Sequence, residues 1–414
     1  MKILLMIFLT IFSFSSFRPV IQDCPIFCYN TVLQNFTEGF IIMADISDFI
    51  RPHLKNVRPY VPGKPIQEVQ RELGLTGEII KLASNENPLG PSPLAKEAIL
   101  KELETLWLYP EDSVFYLKEA LAELHGVTSD WIVVGNGAVE VIYLLSQALL
   151  APGDEAIMGE PSFMIYEIMS QMYDGTKIGV GHPDYKNDLR KFAEHLSDRT
   201  KIIWIDNPNN PTGTYCPKSE VDWFVSEVNG RAIIVLDEAY QHFVDHPDIC
   251  NGVDYVKDGK FVVVLRTFSK VVGLAGIRCG YGVMDPKLAK ILESLRIKFS
   301  VNSLAQAAVL AALKDKQHIE NSRKLVLEGR QFFYENLKSM GLKYNETQGN
   351  FIWVDFGYDA KEINNLLLKE GVIVRPGWVF GAPTCARVSI GTHHQNEFFF
   401  DKLKKALSIL TAKT

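Results

Sequence analysis

Between Trp131 and Lys270, short runs of branched apolar residues alternate with helical patterns, and this alternation narrows the fold more than any other feature. The runs are "WIVVGNG", "DEAIMGEP", "TKIGVG", "KIIWIDNP", "AIIVLDEAY" and "FVVVLRTFSK". The helical stretches between them include "VEVIYLLSQALL", "FMIYEIMSQMY" and "KSEVDWFVSEV". Apolar runs without polar alternation suit strands buried on both faces. Strands separated by helices join through right-handed crossovers into a mostly parallel sheet. The predicted fold class is α/β, with a large domain whose mostly parallel sheet is flanked by helices.

From "MDPKLAKILESLR" to "HIENSRKLVLEGRQFFYENLKSMG" the pattern is helical. After about Leu342, strands ("NFIWVDF", "GVIVRPG", "ARVSIGT") mix with helices, which predicts a smaller α+β C-terminal domain. The expected boundaries are 81–315 for the large domain and 316–414 for the small one. Residues 43–80 form an arm and helix packed with the small domain. A length of 414 residues fits two or three domains at ~100–200 residues each. The net charge of −6 gives no electrostatic reason to expect nucleic acid. Six cysteines are scattered without a CxxC pair, so neither a disulfide framework nor a metal site is expected.

The opening "MKILLMIFLTIFSFSSF" resembles a signal peptide, but no small-x-small cleavage site follows, and the run is short for a membrane span. The character changes at Met43. The preferred reading starts the protein at Met43, leaves 1–42 as a disordered or wrongly assigned leader, and places the protein in the cytoplasm, with no membrane partner. An exporting leader and a membrane-tethering extension are the alternatives.

In a doubly wound sheet, ligands bind beyond the carboxyl ends of the strands. "WIVVGNGA" closes on Gly135, Asn136 and Gly137, and then a helix begins. Glycine admits an anion close to the backbone, and a helix N-terminus adds free N–H groups. Gly137, Ala138 and Val139 are therefore a candidate phosphate cradle; the plain alternative is a turn. "IDNPNNPTG" is a rigid loop that presents the amide of Asn210 at a strand end. Asp237 follows a buried apolar run, where a carboxylate needs a partner, and Tyr240 comes three residues later. Lys270 ends "VVVLRTFSK", after Ser269 and ahead of Arg278. A lysine withdrawn from water has its pKa lowered and becomes a nucleophilic amine.

These groups complement one another. A phosphate suits the glycine turn, Ser269 and Arg278. A carbonyl suits Lys270, and a protonated ring nitrogen suits Asp237. A phenolate oxygen suits Asn210 and Tyr240, and a flat ring suits Phe163 in "GEPSFMIY". Pyridoxal 5′-phosphate carries all of these features.

"NPNNPTG", "LDEAY" and "RTFSKVVGLAGIRCGYG" resemble, in order, the motifs of fold-type I pyridoxal-phosphate aminotransferases of the class-II group. The likeness runs from about Arg58 to the C-terminus. "VRPYVPGKP", "LASNENPLGPSP", "LYPE" and "GVIVRPG…ARVSIGT" are most similar to the histidinol-phosphate aminotransferase branch. The resemblance implies Lys270 as the catalytic base, a small-molecule amino donor and a 2-oxo acid acceptor. It implies that Tyr109 of "LYPE" reaches the cofactor phosphate of a neighbouring subunit, so a homodimer is expected. It implies that Arg387 takes the substrate carboxylate, that Tyr60 and Arg375 lie near a distal phosphate, and that Asn85 belongs with the substrate residues. Three departures stand out: Val139 and Phe163 replace the usual Asp and Tyr, and "PGWVFGAPTC" is aromatic and apolar.

An aromatic-amino-acid aminotransferase and an amino-acid-phosphate decarboxylase are rivals on the same scaffold. A cofactor-binding regulator would need a helix-turn-helix and a basic face, and a nicotinamide enzyme would need GxGxxG; neither pattern is present.

Overall fold

The computed structural model describes residues 45–412, so the expectations for residues 1–42 lie outside the described residues. The chain divides into two units. In the first, Ile46–Phe49 forms one 3-10 turn, capped where the Asp45 carboxylate accepts from Ser47 N–H at 2.8 Å. The second unit begins at Asn56 and carries everything that follows.

Among the described residues, twelve strands form two sheets. β1 (Ile80–Leu82) belongs to the smaller sheet. The larger sheet contains β2 (Ile132–Gly135), β3 (Glu155–Glu160), β4 (Thr176–Gly181), β5 (Thr200–Asp206), β6 (Ile233–Asp237), β7 (Val262–Thr267) and β8 (Gly280–Val283). Their order is β2-β8-β7-β6-β5-β3-β4, and only β8 runs antiparallel to its neighbours.

The central strands are apolar throughout because both faces are covered. Along β5, Ile203 and Ile205 join one hydrophobic cluster, while Ile202 and Trp204 join the other. Helices Ala138–Leu149 and Ile165–Met172 supply Val141, Leu145, Tyr166 and Met169 to the second cluster. Phe192, Phe224 and Val253 cover the opposite face.

Because these strands point one way, Gly135, Asp206, Asp237 and Thr267 emerge along one edge of the sheet. Asp206 and Asp237 are register partners, and Gly280 lies opposite both Gly135 and Thr267. A side chain at Gly280 would put its Cβ 2.2 Å from the Ala138 nitrogen, so this position needs glycine.

The smaller sheet has the order β1-β11-β12-β10-β9, with β9 (Lys343–Asn345), β10 (Phe351–Asp355), β11 (Val372–Pro376) and β12 (Cys385–Ser389). β1 pairs parallel with β11, and β11 pairs antiparallel with β12, setting Arg375 opposite Arg387. Long helices Lys316–Ser339 and His393–Thr411 pack against each other through Phe333, Phe399 and Phe400. No helix among the described residues is long and apolar enough to cross a membrane.

Candidate active site

A cavity of about 980 Å³ opens at the carboxyl edge of the large sheet and reaches the small sheet. Lys270, Asp237, Asn210, Tyr240, Ser269, Arg278, Ala138, Val139 and Phe163 line it, together with Tyr60, Asn85, Arg375 and Arg387. Gly137 lies directly behind, against Arg278.

Lys270 follows β7 by three residues. Its Nζ donates to the Ser84 carbonyl at 3.1 Å and lies 5.7 Å from the Tyr240 ring centroid. Among the described residues it makes no ion pair with a carboxylate. Burial holds its pKa down at about 7, with the Arg387 charge the next cause.

Asp237 ends β6. Its Oδ2 accepts from the Tyr166 hydroxyl at 2.8 Å and its Oδ1 from Ala239 N–H at 3.1 Å. Tyr166 is itself fixed by stacking on Trp204, with centroids 4.8 Å apart and planes 5° apart. Burial pushes the Asp237 pKa up to about 6, against the pull of Tyr166 and Ala239. Its register partner Asp206 is pushed up to about 7, again mainly by burial.

The candidate anion cradle lies where β2 turns into helix Ala138–Leu149. Gly137 is the N-cap, with φ 78° and no capping side chain; the Glu140 N–H turns back to the Gly137 carbonyl at 3.1 Å, which leaves the N–H groups of Ala138 and Val139 for a ligand. A Cβ there would lie 2.3 Å from Arg278 Nη2. Arg278 itself sits at φ 64°, and its Nη1 donates to Ser269 Oγ at 3.3 Å and to the Ala275 carbonyl at 3.0 Å. A non-glycine residue held at positive φ needs its surroundings to keep it there. Val139 carries no side-chain acceptor or donor, so only its backbone can serve the cradle.

On the opposite wall, Arg387 Nη1 donates to Asn210 Oδ1 at 2.5 Å and Nη2 to the Ala83 carbonyl at 2.6 Å. Its Nε is buried without a partner. Arg375, alongside it, donates to the Val61 carbonyl at 2.6 Å and sits between the rings of Tyr60 (5.8 Å) and Phe380 (5.7 Å). Neither guanidinium has a carboxylate partner among the described residues. Asn85 bridges the walls: its Nδ2 donates to Tyr240 Oη at 3.0 Å, and its Oδ1 accepts from Ser389 Oγ at 2.9 Å.

Tyr109 is the exception. It is 83% exposed, stacks on Phe299 at 4.9 Å, and does not line the cavity. Several residues at the site escaped the sequence reading: Tyr166, Asp206, the Ser84 carbonyl, and Tyr143 and Gln147 on the outer wall. Asp206 closes an apolar run just as Asp237 does, and that signal could have found it.

An amine with a lowered pKa, a buried carboxylate ending the next strand and a candidate anion cradle on the other side of the amine match the pattern of one class of enzyme. Residues 77–403 match the family described as aminotransferase class I and II, and the chain belongs to that family. It is 45% identical over 359 residues to a histidinol-phosphate aminotransferase of Moorella thermoacetica, covering 86% of this chain and 93% of that one. It is 42% identical to that of Caldicellulosiruptor saccharolyticus, covering 86% and 99%. In fold it is similar to the histidinol-phosphate aminotransferase of Sinorhizobium meliloti solved with pyridoxal-5′-phosphate, with a TM-score of 0.82, 24% identity, and 89% and 100% of the two chains covered.

Proposed function

We propose that this chain is a pyridoxal-phosphate-dependent aminotransferase that moves an amino group between histidinol phosphate and 2-oxoglutarate, yielding imidazole acetol phosphate and glutamate. The observation that carries the reading is Lys270: an enclosed amine without a carboxylate partner, facing a cavity with Asp237 on the neighbouring strand. The residues fit the cofactor. Gly137, Ser269 and Arg278 make a cradle that a Cβ at 137 would fill, and Asp237 offers a buried carboxylate to a ring N–H.

When bound, the cofactor supplies an aldehyde that captures amines and a ring that takes up the electron pair left by the substrate's α-proton. Lys270 moves that proton. With its pKa near 7, a large fraction is free amine at neutral pH and can accept it. Asp237, ionised above about pH 6, holds a positive ring nitrogen in place. Arg278, Ser269 and the N–H groups of Ala138 and Val139 would hold the phosphate. Arg387 and Arg375 offer two unpaired guanidiniums side by side, one for the anionic group nearest the amine and one for a second anion farther out. Glutamate has two carboxylates; histidinol phosphate has a phosphate beside its amine carbon.

The "GWVFG" turn bears on the choice between phosphate and aromatic substrates. Phe380 packs on Trp353 at 6.0 Å and on Arg375, and Trp378 lies 6.0 Å from Lys361 Nζ. Neither ring lines the cavity. This supports the anionic substrate over the aromatic rival. We further place the enzyme in the cytoplasm as a homodimer in which Tyr109 serves the neighbouring copy. Trp107 (82% exposed), Tyr109, Tyr116 and Ile297 are exposed apolar or aromatic side chains that a second copy would cover.

The test is a half-reaction. Cofactor-loaded protein is mixed with histidinol phosphate or phenylalanine, and the absorbance of the lysine-bound cofactor is followed. Discharge by histidinol phosphate at far lower concentration supports the proposal; equal or better discharge by phenylalanine rejects it.

A further inference from the structure

Asp206 is only 3% exposed, lines the cavity beside Asp237, and has no part in the reaction described above. Three donors converge on it. Oδ1 accepts from Asn209 Nδ2 at 2.8 Å and from Asn187 Nδ2 at 3.3 Å, and Oδ2 accepts from Asn210 N–H at 2.9 Å. The last of these ties the carboxylate to the backbone of the residue whose Oδ1 receives Arg387 Nη1 at 2.5 Å.

Two carboxylates on adjacent strand ends repel each other, and burial makes the charge on each costly. A group that only had to fill space would be better neutral. A carboxylate suits this position because only an acceptor with two free oxygens can take all three donors at once. Asn209 has no spare capacity to adapt: its Oδ1 already accepts from Thr212 N–H at 3.1 Å and Thr212 Oγ1 at 2.6 Å.

We propose that Asp206 is a positioning residue for substrate binding: through the Asn210 backbone it sets the side chain that aims Arg387 into the cavity. The inference rests on the reading of Arg387 as the guanidinium that takes the substrate's anion. Loss of Asp206 then weakens anion binding at Arg387 and raises KM more than it lowers kcat.

The experiment measures binding of succinate, an unreactive dicarboxylate, to the cofactor-loaded protein by calorimetry. Asp206→Asn buries a new amide donor against three existing donors; Asp206→Ala removes the charge without adding any donor. Both are expected to weaken succinate about tenfold, the scale of one charge-assisted hydrogen bond. In an Asn210→Ala background, Asp206→Asn should add little, because the relay it acts through is gone. Unchanged succinate affinity in both single variants, or fully additive effects in the double variant, overturns the proposal. Failure of both single variants to fold makes Asp206 structural and also overturns it. A wild-type protein that takes up no pyridoxal phosphate, or takes it up without transaminating, would instead refute the enzyme assignment.

Discussion

The Tyr166 hydroxyl donates to Asp237 Oδ2 at 2.8 Å, from a helix that follows a different strand. That bond favours the ionised carboxylate, whereas burial favours the protonated one. Tyr166→Phe should therefore raise the Asp237 pKa from about 6, by roughly one unit for a lost bond to a charged group. The acidic limb of the pH–rate profile moves to higher pH. Activity falls several-fold near pH 6.5 and recovers by about pH 9. A profile that is scaled down without moving would show that the hydroxyl does not tune Asp237.

Arg387 is the second cause, after burial, of the low pKa of Lys270. Removing a positive neighbour favours the ammonium. Arg387→Gln should thus raise the Lys270 pKa by several tenths of a unit or more. The pH dependence of cofactor uptake by cofactor-free protein reads this directly. The midpoint should shift upward, and a downward shift would contradict the arrangement.

Gly137→Ala places a methyl group 2.3 Å from Arg278 Nη2 at a φ of 78°. Arg278 must swing away from the cradle. The dissociation constant for pyridoxal phosphate should rise at least tenfold, with a smaller loss of thermal stability. Equilibrium dialysis and a melting curve separate the two effects.

Behind the site, the Glu238 carboxylate accepts from Arg266 Nε at 3.0 Å and Nη2 at 2.6 Å, and from Gly252 N–H at 2.6 Å. Both partners are buried or nearly so. Arg266→Leu strands a buried carboxylate and should cost about 3–5 kcal/mol of stability. Denaturant unfolding checks this, and a loss below about 1 kcal/mol would mean that the pair is dispensable.

Much of the large sheet was legible because its strands are covered on both faces. The runs ending at Asp237 and Thr267 are unbroken, and polar residues appear where each strand leaves the core. Residues within a few positions of a strand end, such as Asn210 after β5, Tyr240 after β6 and Lys270 after β7, were visible for the same reason. Contacts between distant segments were not. Ser84 and Asn85 follow the three-residue strand β1, which joins the small sheet through β11 nearly 300 residues later. The pairing of Arg375 with Arg387 depends on the β11–β12 register, which no local pattern encodes. Tyr166 sits inside an ordinary amphipathic helix, so its bond to Asp237 left no local mark.

Reductive trapping gives the most direct test of the central claim. Protein incubated with pyridoxal phosphate is treated with borohydride, digested and analysed by mass spectrometry. The account predicts one modified peptide, carrying the cofactor on Lys270, and none from Lys270→Ala. Modification elsewhere, or undiminished trapping in that variant, would contradict it.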